Sequence, residues 1–164
     1  MGQHFKPVFL AEDSDTVIGH LDPGIFYKLA EHADRRDNWF VSDVAQILTT
    51  PTRIVWVGEY ADPEPGTEPP TNLHRLADRL PETPVPDGLP GRHLINHDRR
   101  VYLLIDSTPS EDEVHPLPAL TVEGGEGYIE DEHGLIGSWA RQRISVADPP
   151  PTGYTEIQFR AWFV

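Results

Sequence analysis

The sequence predicts an α+β fold, with a single domain over residues 1–164 and a mostly antiparallel sheet of about six or seven strands with about three helices. Apolar residues at helical spacing are concentrated in the first half of the chain, whereas strand patterns dominate the second half. The 164 residues, of which 38% are hydrophobic, suffice to build one core, and no internal repeat is visible. We therefore expect helices early in the chain and strands late.

The N-terminal region is predicted to form a hairpin followed by a helix. Residues 5–10 and 16–21 have strand character and flank the polar turn Glu12-Asp13-Ser14-Asp15. Asp22-Pro23 then supplies residues suited to the N-cap and first position of a helix. Apolar residues at helical spacing extend this predicted helix over residues 23–33.

The middle of the chain is predicted to contain a second helix, a buried strand and a proline-rich excursion. The second helix begins after Asn38, carries one apolar stripe, and ends before Pro51. Residues 53–59 are rich in β-branched and aromatic side chains, as expected of a buried strand. An excursion at about residues 62–91 holds many of the prolines and one short helix at residues 72–80.

The C-terminal half is predicted to complete the sheet. Residues 93–96 and 100–106 form a second hairpin, and residues 120–123, 138–146 and 155–164 supply the remaining strands. The last of these segments alternates apolar and polar side chains, so one of its faces is expected to be polar or solvent-facing.

The charge of the chain restricts its partners. There are 27 acidic and 13 basic residues, which give a formal net charge of −14 at pH 7. This charge repels phosphate backbones and anionic bilayers, so nucleic acid is not an expected partner. A basic host protein or a small ligand suits it better. The basic residues are 11 Arg and 2 Lys, a bias that suggests a GC-rich genome such as that of an actinobacterium or its phage.

The composition also excludes several kinds of chemistry. The chain has no cysteine, which rules out disulfides, thiolate metal sites and cysteine nucleophiles. No apolar run approaches the length of a membrane span or of a secretion signal, so we expect a cytoplasmic protein without membrane attachment. The sequence identifies no cofactor, metal or oligomeric state.

Two carboxylates follow the predicted buried strand. Glu59 and Asp62 lie at its exit, where a rigid strand end can position working groups. A close carboxylate pair can hold a divalent cation or divide into acid and base roles. In the alternative interpretation, Glu59 satisfies a local turn or an arginine and Asp62 caps the proline-rich loop.

Histidines provide the second set of candidates. His97 and His115 can serve as general acid or base, and they can converge in space with Asp98, Asp106 or Glu59 as a third metal ligand. His93 and His97 are four residues apart, but the stretch is predicted to be extended and turning, so they do not form a helical zinc pair. The alternative is that each histidine ties a loop by hydrogen bonds.

The segment around Ser138 and Arg141 is predicted to be a strand with alternating faces. Ser138 lacks a Gly-x-Ser-x-Gly elbow, which argues against a serine nucleophile of the usual kind. Arg141 can bind an anionic ligand in bidentate fashion, or it can neutralise Glu59 or Asp62 inside the fold. We favour the internal salt bridge.

Six short polar motifs are spread over the chain, and together they resemble a family of small bacterial and phage proteins of unassigned function. They are Met1-Gly2-Gln3-His4-Phe5-Lys6, Lys28-Leu29-Ala30-Glu31-His32, Trp56-Val57-Gly58-Glu59-Tyr60-Ala61-Asp62, Ile95-Asn96-His97, His115-Pro116-Leu117-Pro118 and Gly137-Ser138-Trp139-Ala140-Arg141. The chain departs from the family at His4, where the resemblance leads us to expect Tyr. The resemblance implies no activity, but it favours a cleft position for Glu31 and His32.

Two functions are consistent with these features. The first is a small acidic binding or interaction protein, such as a phage accessory factor, whose motif residues line a recognition groove. Its candidate binding residues are Lys28, Glu31, His32, Asp62, Asn96, Ser138 and Arg141. The second is a small hydrolase-like enzyme in which His97, His115 and Glu59 are catalytic, with or without a divalent metal. An enzyme requires these groups around one pocket, whereas a binding protein leaves them dispersed.

Overall fold

The computed structural model describes residues 3–24, 28–34, 38–105, 114–125 and 129–164. Within these ranges the helices are α1 (Leu29–Ala33), α2 (Trp39–Ile47), α3 (Leu73–Ala77) and α4 (Pro116–Thr121). The strands are β1 (Phe5–Leu10), β2 (Val17–His20), β3 (Thr52–Gly58), β4 (His93–Asn96), β5 (Val101–Leu104), β6 (Val122–Glu123), β7 (Ile129–Asp131), β8 (Arg143–Ala147), β9 (Thr155–Glu156) and β10 (Ala161–Phe163). The predicted α+β class is confirmed.

One main sheet organises the fold. Its strand order is β2-β1-β3-β8-β4-β5-β9, and β6 lies beside the second half of β3. All pairs are antiparallel except β3 with β6 and β5 with β9, which confirms the predicted mostly antiparallel sheet. A separate two-stranded sheet joins β7 to β10.

The two faces of the main sheet carry different cores. On one face, Phe5, Phe9 and Trp56 belong to a large cluster that includes apolar residues of α1, α2 and α4. On the other face, alternate residues of β1 and β3 such as Val8 and Val55 pack with α3. Strand β3 is therefore covered on both sides, and its buried apolar sequence has the pattern expected of such a strand.

The N-terminal hairpin is confirmed, but the first helix is shorter than predicted. Helix α1 begins at Leu29 instead of Pro23, and residues 25–27 lie outside the described part of the chain. Gly24 has φ +67°, a left-handed conformation that does not belong in a right-handed helix, and its N–H donates to the Asp22 side chain. The Asp22-Pro23 pair thus forms a turn here rather than a helix start.

The next two predicted helices are confirmed, the second as a shorter helix than the predicted 72–80, and the predicted Asn38 cap is present. Asn38 accepts a hydrogen bond from the Val41 N–H at the start of α2, and Asn72 accepts one from the Arg75 N–H at the start of α3. The excursion that contains α3 also covers the sheet edge at β2. There the Thr83 N–H donates to the carbonyl of His20 over 2.9 Å, which satisfies part of an otherwise open edge.

Three predictions for the C-terminal half are wrong in detail. The first two residues of the predicted strand at 120–123 belong to an unforeseen helix, α4, in which Pro116 occupies one of the first positions, and the other two form β6. Residues 138–142 form turns because Gly137 and Arg141 have φ values of +75° and +67°. The predicted last strand is divided into β9 and β10, which belong to different sheets.

The second predicted hairpin is confirmed as β4 and β5. The last residue assigned to it, Asp106, lies outside the described residues. None of the helices in the described ranges has the length and apolar character that a membrane span requires.

Candidate functional site

The residues predicted to be catalytic do not converge. Glu59 follows the C-terminal end of β3. His97 lies near the N-terminal end of that strand, because its N–H donates to the carbonyl of Arg143, which pairs with Arg53 of β3. Six residues of strand separate these positions by about 20 Å. His115 lies in the helical layer, at the start of α4. The arrangement required for one pocket around these three residues is therefore absent.

His97 is held between a serine and a tyrosine. Its Nε2 lies 2.7 Å from the Ser145 Oγ and its Nδ1 lies 3.1 Å from the Tyr154 hydroxyl. Burial lowers the pKa of His97, and the nearby Arg143 guanidinium lowers it further. The ring is therefore neutral at pH 7, with one nitrogen as donor and the other as acceptor.

The distance between Ser145 and His97 is that of a nucleophile and its base, but the Ser145 hydroxyl is not accessible to a substrate. Ser145 lies on β8 between β3 and β4 and is 2% exposed. Asp98, the carboxylate next to His97 in sequence, binds the Arg143 backbone N–H and guanidinium instead of the imidazole. The arrangement satisfies buried polar groups, as the alternative interpretation of the histidines predicts.

Asn96 forms the turn between β4 and β5. Its side chain is fully buried, its Oδ1 accepts hydrogen bonds from the N–H groups of Asp98 and Arg99, and its Nδ2 donates to Gln142. This is the side-chain turn that asparagine favours. Asn96 therefore organises the hairpin and does not present its amide to a ligand.

Glu59 ties down the N-terminal segment. Its Oε1 accepts a hydrogen bond from the His4 N–H over 2.9 Å, and its own N–H donates to the His4 carbonyl. Asp62 is exposed in the loop that follows. Within the described ranges, no cluster of three or more His, Asp or Glu side chains is suited to hold a metal ion. Glu59 therefore binds the backbone of a segment distant in sequence, which is neither the local turn nor the arginine of the alternative interpretation.

His115 and His32 both stabilise the helices that cover one face of the main sheet. The His115 Nδ1 accepts a hydrogen bond from the Leu117 N–H and caps α4, and its ring borders a cavity of about 280 Å³. His32 is 1% exposed, and its Nδ1 accepts a hydrogen bond from the Trp56 indole over 2.9 Å. His32 therefore occupies the core instead of the predicted cleft.

The other two candidate residues of this motif, Lys28 and Glu31, are exposed. Lys28 is the residue before α1 and makes no side-chain cap, and Glu31 lies on the exposed face of the helix. The prediction that Glu31 and His32 share a cleft is wrong, because the single turn of helix directs them to opposite environments.

Arg141 is at the centre of the most concentrated charge cluster in the described part of the chain. Its guanidinium forms a bidentate pair with Glu123, at 2.9 and 2.7 Å, and another with Glu64, at 2.7 and 3.0 Å. It also lies 3.0 Å from Asp15. We call Arg141, Arg53, Asp15, Glu64 and Glu123 the Arg141 cluster, because Arg53 binds Asp15 and the Arg141 carbonyl.

The predicted internal salt bridge is confirmed, but its partners are different from those expected. Arg141 pairs with Glu64, Glu123 and Asp15 rather than with Glu59 or Asp62. The hydrogen bonds from Glu123 and Glu64 raise the pKa of the guanidinium, so Arg141 stays charged at all accessible pH values. Since its donors already contact carboxylates, Arg141 is not placed to bind an anionic ligand.

The Ser138 hydroxyl is also inside the protein and is not presented to a ligand. Its Oγ is buried without a hydrogen-bond partner, and its carbonyl accepts a hydrogen bond from Arg99. Trp139, the next residue, is 1% exposed. The segment therefore supports the core and the β4–β5 turn.

The sequence did not indicate which residues contact the predicted site residues His97 and Arg141. Asp15, Glu64 and Glu123 come from three separate parts of the chain, and Ser145 and Tyr154 flank His97 from other strands and loops. No local spacing indicates these contacts, because they depend on the strand order of the main sheet.

No protein-family model, curated protein or solved structure matches this chain. The resemblance based on the six motifs therefore stays a prediction.

Proposed function

We propose that this is a small acidic binding protein of the cytoplasm, with a basic host protein as its partner, rather than an enzyme. The observation that carries the proposal is the dispersal of Glu59, His97 and His115 over different parts of the fold, each in contacts that stabilise local structure. An accessory role in a phage or its bacterial host is the biological setting that the motif resemblance favours.

The distribution of charge supports a basic partner. Several cations are paired with carboxylates, among them Lys6 with Asp78 and Arg143 with Asp98. Because the 27 acidic residues outnumber the 13 basic ones, negative charge remains after these pairs form, and exposed residues such as Glu12, Asp13 and Glu68 display it. A surface of this kind attracts a cationic partner at long range and repels nucleic acid.

Thermal unfolding and peptide binding test the proposal together. We expect the melting temperature to be unchanged by Mg²⁺, Mn²⁺, Zn²⁺ or ATP, and we expect a fluorescent decalysine peptide to bind with an affinity that falls steeply with salt. Decaglutamate is the control peptide. A metal or nucleotide at 100 times its dissociation constant adds about 2.7 kcal/mol, or roughly 5 to 10 °C at this size. Such a shift, lost in His97→Ala, would overturn the proposal.

A hydrolase is the second candidate, and the 2.7 Å distance between Ser145 and His97 is the observation that favours it. Its test is labelling of the full chain with a fluorophosphonate probe. If the protein is a hydrolase, a covalent adduct forms on Ser145 and disappears in Ser145→Ala. If it is a binding protein, we expect no adduct, because the Ser145 side chain is buried.

A further inference from the structure

An open groove of about 580 Å³ lies beside the Arg141 cluster. Its walls come from the β1–β2 turn and β2, from the start of the proline-rich excursion, and from α3 with the turn after it. The volume is within the range of about 300 to 1,000 Å³ that ligand pockets occupy. We call this feature the β2–α3 groove.

The groove combines an apolar wall with charged ends. Val17, Leu76 and Leu80 line it as partly buried apolar side chains, and the first two also pack against the core beneath α3. Asp15 and Glu64 contribute carboxylates to its lining. An apolar surface next to fixed carboxylates suits a ligand that carries an apolar group and a cation close together.

Negative charge remains beside the groove after its cations are counted. The Arg141 cluster holds three carboxylates and two guanidinium groups, and Arg79 in the lining of the groove balances the remaining charge. Asp15 has 48% of its side chain exposed, which leaves its carboxylate accessible from the groove. Glu12 and Asp13 are exposed on the same turn as Asp15 and supply the excess negative charge at this end of the groove.

Ion pairs and hydrogen bonds within the protein fix the walls of the groove without a ligand. Arg141 joins the β1–β2 turn to the excursion through Asp15 and Glu64. Within the excursion, the Glu64 N–H donates to the Thr71 carbonyl, and the Thr67 hydroxyl donates to the Glu64 carbonyl. A preformed site loses less conformational entropy on binding.

We infer that the β2–α3 groove docks an extended segment of a basic protein, in which an apolar side chain contacts Val17, Leu76 and Leu80 and a nearby Lys or Arg contacts Asp15. The inference rests on the proposed function, since it names the surface through which a basic partner binds. Arg79 on the α3 side of the groove can donate hydrogen bonds to backbone carbonyls of such a segment.

The test is a titration of the ¹⁵N-labelled full chain with the peptide acetyl-Leu-Ala-Arg-amide, followed by NMR. We expect chemical-shift changes at the groove residues, and none with acetyl-Leu-Ala-Glu-amide. Thr16→Arg places a cation and a long side chain in the groove and should weaken binding at least tenfold. Thr152→Arg makes the same change at an exposed site near β9, on the opposite sheet edge, and should stay within twofold of the natural chain.

The outcomes separate this inference from the proposed function. Shift changes outside the groove, no binding of the tripeptide, or equal weakening by both variants would overturn the groove as the docking site. If decalysine still binds in those cases, the acidic binding protein stands without the groove. If neither cationic probe binds, both proposals fail.

Discussion

At the scale of the residue, single side chains in this protein join segments that are distant in the sequence. Arg141 adopts a left-handed backbone conformation that is unfavourable for a residue with a Cβ atom, and its guanidinium contacts three carboxylates. The ion pairs offset the backbone strain and fix the turn before β8. His32 and Trp56 form a comparable link through a single buried hydrogen bond.

Replacing Arg141 should strongly destabilise the fold. In Arg141→Ala, Glu64 and Glu123 lose their ion-pair partner and Asp15 keeps only Arg53, so we expect the free energy of unfolding to fall by about 2 to 4 kcal/mol. Urea unfolding at pH 7 measures this change. Arg160→Ala removes the same charge at an exposed position and should cost less than about 0.5 kcal/mol. Equal effects of the two substitutions would show that the Arg141 cluster contributes little.

The pH dependence of stability should depend on His74. Burial lowers its pKa to about 4, with a further contribution from Lys6, whereas Asp78 and Glu59 oppose the shift. The unfolded chain therefore takes up a proton at higher pH than the folded one. Stability is highest above about pH 6.5 and falls as the pH decreases towards 4.

Urea unfolding of the natural chain and of His74→Gln, at several pH values from 7 to 4.5, tests this prediction. Because His74 is partly exposed, we expect it to account for about 2 kcal/mol of the loss, less than the full shift would imply. The lowered pKa of His97 acts in the same direction and remains in the variant. Parallel pH profiles for the two proteins would contradict the assignment to His74.

At the scale of the element, helix caps and turns determine where the short helices lie. Helix α3 has only five residues, too few to be stable by itself, and it depends on Asn72 and on packing against β1 and β3. The Asn72 amide also donates to the carbonyls of Glu59 and Ala61. One side chain thus caps the helix and attaches it to the end of β3.

The two roles of Asn72 can be separated by substitution. Asn72→Ala removes the cap and both donated bonds, and we expect a loss of about 2 kcal/mol in the free energy of unfolding. Asn72→Ser keeps a capping oxygen without the amide donors and adds no charge beside the two carbonyls, so about half of that loss is expected. Chemical denaturation of both variants gives the comparison. If Ser costs as much as Ala, the cap contributes nothing.

The correctly predicted elements are those whose signals lie within a few residues. The β1–β2 hairpin, α2 with its Asn38 cap, and β3 all carry apolar periodicity bounded by turn or cap residues. Helix α4 was missed because its two prolines disfavour a helix interior, although the first turn of a helix tolerates proline. The segment at residues 138–142 has strand composition, yet Arg141 within it and Gly137 just before it have positive φ, and tertiary ion pairs hold Arg141 in this conformation.

At the scale of the whole molecule, the net charge of −14 opposes the compact state. Salt screens repulsion among exposed carboxylates, and it screens the partly buried ion pairs less. The balance should therefore favour greater stability at higher salt, even though individual ion pairs weaken.

We expect the melting temperature to rise by a few degrees, or about 1 kcal/mol, when NaCl is increased from 10 mM to 0.3 M. The variant with Glu12→Gln, Asp13→Asn, Glu68→Gln and Glu130→Gln has a net charge of −10, since four exposed carboxylates are removed from −14. The melting temperature of this variant should rise less than that of the natural chain over the same increase in NaCl. A fall in melting temperature with salt would mean that ion pairs outweigh the net repulsion.

The sequence by itself determined the fold class, the acidic character and the presence of the main local elements. These properties depend on composition, apolar periodicity and capping residues, all of which act over short stretches of chain. It also favoured an internal salt bridge for Arg141, but with Glu59 or Asp62 as partners instead of the carboxylates that bind it.

Only the tertiary structure decided which groups meet. The strand order places Glu59 and His97 at opposite ends of β3, buries His32 against Trp56, and brings Asp15, Glu64 and Glu123 to Arg141. Contacts between segments far apart in sequence depend on how the sheet is assembled, and residue spacing does not encode that assembly. For this reason the catalytic set was dispersed, and the β2–α3 groove had no counterpart in the sequence.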